Sequence, residues 1–125
     1  MKIILFDIDG TLVKAGGAGV RVLDHAVKAM TGHPRACDSV QIQGATDKSN
    51  FVNAFKVGKG RKPSAKELAE LTARYVARLP AEVKASLKAK KYSKLKGVEI
   101  FLEKLSVLPG VMVGLGTGNL KDGAF

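Results

Sequence analysis

The chain has 125 residues, 46% of them hydrophobic, 26% charged and 6% aromatic, a profile that excludes a disordered tail and leaves room for one modest core rather than two. Cys37 is the only cysteine, so no internal disulfide forms and a reducing, cytoplasmic setting is expected. The apolar opening is too short for a signal h-region, and no later run approaches the ~18 residues of a membrane span, which argues against a membrane partner. The net charge of +10 sits in residues 56–96, which hold 13 Lys/Arg against three Glu, whereas the remainder is balanced at eight of each. Such a stretch attracts phosphate-bearing ligands or nucleic acid. With almost no aromatic side chains to stack on bases, nucleic acid is disfavoured and a solvated helical face is the simpler reading.

In chain order, "KIILFDI" is a short, continuously apolar run rich in β-branched residues, which suits a strand buried on both faces of a parallel sheet. Glycines at 16, 17 and 19 make a turn that can serve as a hinge. Val20, Leu23, Val27 and Met30 then recur at helical spacing until Gly32 and Pro34 end the segment. "DSVQIQG" reads as loop, followed by a short helix over about 47–55 with Thr46 as its N-cap. Ser64 and Glu67 form a capping-box signature for a helix running to about residue 79. Pro80 is expected to break it and to seed a second helix over about 81–91, the two pairing as a hairpin. Val98, Phe101, Leu102 and Leu105 mark one face of a further helix closed by Pro109-Gly110, and "VMVGLGTGN" repeats the opening logic of a strand running into glycines.

The expected fold class is therefore α/β, with a parallel sheet. In open sheets of this kind ligands sit outside the carboxyl ends of the strands. Asp7 and Asp9 lie at that end of the first strand and Thr117 and Gly118 at that of the last, so neighbouring strands would bring all four to one site. Two carboxylates at this spacing repel each other and call for a compensating positive charge, most simply a metal ion.

"FDIDGTLV" resembles the first motif of the haloacid dehalogenase superfamily, hydrophobic-Asp-x-Asp-Gly-Thr-Leu/Val, and "GLGTGN" is similar to its second motif. Within that superfamily the chain looks most similar to phosphoglycolate-phosphatase-like members. The resemblance implies a Rossmann-like core formed by residues 1–15 and 97–125, incomplete in this chain, with a helical cap, residues 16–96, inserted after the first strand. It implies that Asp7 attacks phosphorus to give an aspartyl phosphate, and that Asp9 protonates the leaving oxygen and then activates water. Mg2+ would be the cofactor, held by the Asp7 carboxylate and the Asp9 backbone carbonyl. Thr117, Gly118 and Asn119 would bind the transferring phosphoryl group, and Gly10 would let the chain turn tightly beside it. An acid at position 9 is the phosphatase and mutase pattern, which dehalogenating members lack.

The expected activity is magnesium-dependent hydrolysis of a small phosphorylated metabolite. A phosphomutase would share every residue named, and a non-catalytic binding module with a basic helical surface is the rival from another class. The superfamily's stabilising lysine and acidic metal-binding pair normally follow the second motif. This chain ends a few residues beyond that motif, and two strands are too few for a stable covered sheet. The sequence thus leads one to expect either a missing C-terminal half or self-association across the open strand edge, and weak or no activity from the chain alone. "GLGTGN" does not fit G-x-G-x-x-G, and "VGKGRKPS" lacks phosphate-loop spacing. His25 and His33 read as structural or exposed, and Cys37 as a small packing residue.

Overall fold

A computed structural model describes residues 1–124. The chain runs β1 (Lys2–Phe6), β2 (Val13–Lys14), α1 (Ala18–Thr31), a 3-10 turn (Ala36–Ser39), α2 (Asp47–Lys59), α3 (Ala65–Lys88), β3 (Ser93–Lys94), α4 (Val98–Ser106), β4 (Val111–Leu115) and α5 (Lys121–Ala124). β1 and β4 pair in parallel with Lys2 opposite Val111 and Phe6 opposite Leu115. The result is a mixed α/β fold with a small parallel sheet, the expected class.

The sheet is far less covered than a strand buried on both faces would be. Phe6 packs edge-on against Phe101 of α4, with ring centroids 6.0 Å apart, so one face carries a helix. On the strands Ile3, Leu5, Met112, Val113 and Leu115 remain exposed. The physical reason is that two strands and one nine-residue helix offer too little surface to enclose them.

The core lies instead among the helices. Val22 and Val27 of α1, Phe51 and Phe55 of α2 and Leu71 of α3 are the largest fully buried side chains, each contributing roughly 1.5–3 kcal/mol of hydrophobic stabilisation. Local sequence sets the helix ends. Gly32 closes α1 in the left-handed conformation, with its N–H donating to the Lys28 carbonyl. Thr46 caps α2 by accepting the Ser49 N–H at 3.3 Å. The Ser64–Glu67 capping box is formed in both directions, at 3.2 and 2.8 Å.

One expectation fails here, and one element was not foreseen. α3 runs unbroken through Pro80 for 24 residues, where a break and a helical hairpin were expected. Proline in a helix interior deletes one hydrogen bond and crowds the preceding turn, but both halves of α3 are tied to the rest of the molecule. Leu71 and Tyr75 are buried before the proline. After it, Arg21 of α1 bonds Glu82 at 2.5 Å and Ser86 at 2.8 Å. The second surprise is an antiparallel ladder, Val13 to Lys94 and Lys14 to Ser93, extended by the Leu95 N–H on the Leu12 carbonyl at 3.0 Å. It ties the outgoing and returning passes of chain side by side. No helix among the described residues is long and apolar enough to cross a membrane.

Candidate active site

The chain leaving β1 folds over one carbonyl: the N–H groups of Thr11, Leu12 and Val13 all donate to Ile8, at 3.3, 2.9 and 3.1 Å, while the Gly10 N–H donates to Val13 at 2.8 Å. Gly10 takes φ 80°, a conformation open to glycine at little cost. The loop presents Asp7 and Asp9, both exposed, to a common cavity of about 740 Å³.

Parallel pairing delivers the second turn to the same place. The Gly116 N–H donates to the Phe6 carbonyl at 2.9 Å, carrying the ladder past the strand ends, so Asp7 and Thr117 leave the sheet together. Asn119 Nδ2 then donates to Asp9 Oδ2 at 2.9 Å, a direct link between the two turns. Of the residues singled out in the sequence, Asp7, Asp9, Gly10 and Gly118 line the cavity. Thr117 and Asn119 are not among its lining residues. The Thr117 hydroxyl oxygen accepts the Asn119 N–H at 3.2 Å, so it braces its own turn.

A third element joins them that the sequence did not point to. The Asp47 N–H donates to the Gly118 carbonyl at 3.0 Å, and Asp47 Oδ2 accepts the Leu120 N–H at 2.8 Å. The first turn of α2 is thereby docked on the turn after β4. Gly118 permits this approach, since a Cβ there would stand 3.0 Å from Thr46 Cα and 3.3 Å from the Ala45 carbonyl. Burial pushes the Asp47 carboxyl above the ordinary aspartate range; the Leu120 N–H pulls it back, and the charge of Asp9 pushes it up again.

The far wall is helical. Tyr75 of α3 stacks at a tilt on Phe51 with centroids 4.8 Å apart, and burial followed by the charges of Asp47 and Asp9 raises its phenol, which stays protonated and able to donate. Asn50 of α2 is 5% exposed and lines the cavity. Its Nδ2 donates to the Ile42 carbonyl at 3.4 Å, and its Oδ1 has no partner. Asp47, Asn50 and Tyr75 were all missed in the sequence. Only Asn50 left a trace there, as a polar residue beside Phe51, Ala54 and Phe55 on the buried face of α2.

No Lys, Arg or His lines the cavity among the described residues, whereas three aspartates do. A phosphate dianion entering it therefore needs a cation brought from solution. The Asp7 carboxylate and Asp9 carbonyl are hard oxygen donors of the kind magnesium takes, but no group of three His, Cys, Asp or Glu able to hold a metal exists among the described residues. The donor set thus fits a magnesium ion that keeps most of its waters, and does not fit a cation caged wholly by protein.

These features define, at the level of fold, a mixed α/β protein with a small parallel sheet and a helical layer. The particular likeness is to a solved structure, a predicted phosphoglycolate phosphatase from Haemophilus somnus 129pt, with a TM-score of 0.59 and 17% sequence identity over 97% of this chain and 53% of that one. The chain thus spans about half the length of that protein. No family model and no curated protein matches the sequence. Identity this low carries the fold alone.

Proposed function

We propose that the chain carries the nucleophile-bearing part of a magnesium-dependent phosphatase acting on small phosphorylated metabolites, with residues 16–96 as a helical cap over the site. The observation that supports this most is the junction of the two turns, where Asn119 meets Asp9 at 2.9 Å, while Asp9 and Asp7 line a cavity whose other side is helical. The likeness of fold to a predicted phosphatase agrees with it.

Asp7 attacks phosphorus through a carboxylate oxygen while the bond to the leaving oxygen breaks, and Asp9 gives that oxygen its proton. Water then attacks the phosphorus of the aspartyl phosphate, Asp9 takes a proton from it, and the bond to Asp7 breaks, restoring both carboxyls. Asn119 holds one oxygen of Asp9 and so directs the other toward the substrate. Magnesium, bound by the Asp7 carboxylate and the Asp9 carbonyl, would supply neutralisation of the phosphoryl oxygens. The open sheet face leaves room for a further segment or a second copy to complete the site.

The test is covalent trapping. Protein is incubated with p-nitrophenyl phosphate and magnesium, quenched in acid and weighed intact. Because p-nitrophenolate leaves without a proton, Asp9→Asn should form the adduct and fail to clear it, whereas Asp7→Asn should form none. No phosphoryl adduct in the Asp9→Asn protein, or one mapping to a residue other than Asp7, overturns the assignment.

A further inference from the structure

One residue of the helical layer holds both peptide groups that flank Asn119. The Asp47 N–H donates to the Gly118 carbonyl at 3.0 Å, and Asp47 Oδ2 accepts the Leu120 N–H at 2.8 Å. With the peptide planes before and after Asn119 both pinned to the first turn of α2, the direction of its Cα–Cβ bond is fixed, and its side chain then donates to Asp9 Oδ2 at 2.9 Å. The ordinary role of an acid at this place in a helix is to cap it or to complement its dipole. α2 does not need Asp47 as a cap, because Thr46 already accepts the Ser49 N–H. The Asp47 carboxylate is directed instead at a turn 73 residues away, across an approach so close that a Cβ on Gly118 would stand 3.0 Å from Thr46 Cα.

We infer that Asp47 is a positioning residue for the acid–base step: by gripping the peptide groups on either side of Asn119 it aims the amide that holds Asp9, and so aims the Asp9 oxygen that exchanges protons. It acts through Asn119 and not on the substrate. The inference rests on the phosphatase reading and adds to it a residue from the helical layer. A rival account gives Asp47 its effect through charge, which is felt between it and Asp9. Two substitutions separate the accounts. Asp47→Asn removes the charge and keeps an acceptor for the Leu120 N–H, whereas Asp47→Ala removes both.

The experiment follows the phosphoryl adduct formed from p-nitrophenyl phosphate and magnesium, by acid quench and intact mass, and compares its rate of formation with its rate of clearing. Formation expels p-nitrophenolate without a proton from Asp9, whereas clearing needs Asp9 as base, so the ratio of the two rates isolates the step that the positioning serves. In Asp47→Ala the ratio of clearing to formation should fall about tenfold, part of the roughly 10²–10⁴ that a positioned acid–base group supplies. Asp47→Asn should recover the ratio to within about threefold of wild type. Asp47→Ala should cause no further fall in an Asn119→Ala background, since both act through one hydrogen bond. Should Asp47→Ala not fold, Asp47→Glu, which keeps the charge and displaces the acceptor, should lower the same ratio. An equal fall of formation and clearing in Asp47→Ala, an Asp47→Asn protein with as low a ratio as Asp47→Ala, or additive effects with Asn119→Ala overturns the inference and leaves the phosphatase reading standing. If Asp9→Asn accumulates no adduct, the phosphatase reading itself fails and the inference falls with it.

Discussion

Asp47 joins the helical layer to the strand-end turn, and removing its carboxylate tests that junction. In Asp47→Ala the half-buried Leu120 N–H loses the acceptor it holds at 2.8 Å, at about 1–2 kcal/mol. α2 also loses a first-turn anion worth roughly 0.3–1 kcal/mol. Relief of burial and of repulsion by Asp9 offsets part of this, leaving a net loss of about 1 kcal/mol, or ~4 °C in Tm for a domain of this size. Asp47→Asn keeps an oxygen for Leu120 and should stay within about 0.5 kcal/mol of wild type at the acid end. The two differ further with pH. A carboxyl raised in the folded state above its ordinary 3.8 holds a proton that the unfolded chain has released, so wild-type stability falls as pH rises from about 3.8 through the folded value and is flat above it. Asp47→Asn lacks that fall, so its Tm relative to wild type should climb across the same window. Thermal melts of the three proteins from about pH 4 to pH 7 read both effects. Identical melts for Asp47→Ala and Asp47→Asn at every pH would refute the junction.

Other expectations follow from α3 and from Cys37. Because α3 is continuous, Pro80→Ala restores an interior hydrogen bond and should stabilise the chain by about 1–3 kcal/mol in urea titration; a neutral or destabilising result would mean that Pro80 begins a separate helix. Burial first, and then Asp24, push the Cys37 thiol up to about 12, so the native protein should react with a disulfide reagent near pH 8 only as fast as it opens, with urea accelerating the reaction. An immediate burst from the native state would contradict the burial.

The elements that the sequence made legible are those governed by short-range rules. β1 and β4 announce themselves by apolar, β-branched runs ending in glycine, α1 by the spacing of Val20, Leu23 and Val27, and α2 and α3 by the Thr46 and Ser64 caps. What was not legible depends on partners distant along the chain. Nothing local to Pro80 reveals that Arg21 holds the helix beyond it, and Val13–Lys14 is too short to signal a strand until Ser93–Lys94 lies beside it. In the site, Asp7, Asp9 and Gly118 were readable because their spacing carries a motif. Asp47 reads as an ordinary first-turn acid and Tyr75 as a core aromatic, since only the docking of α2 on the β4 turn and the packing of α3 on α2 through Phe51 bring the two into one cavity wall.

The uneven burial has a consequence for how the molecule breathes. The amides of β1 and β4 are shielded by a single neighbouring strand, while α1, α2 and α3 share the dense interior around Phe51 and Leu71. The strand pair therefore opens at a lower free energy than the helices, and the two acids ride on the segment that exchanges its hydrogens with solvent soonest. Any ligand spanning Asp7 and the Gly118 turn acts as a clasp on that segment, so binding slows exchange most in the strands.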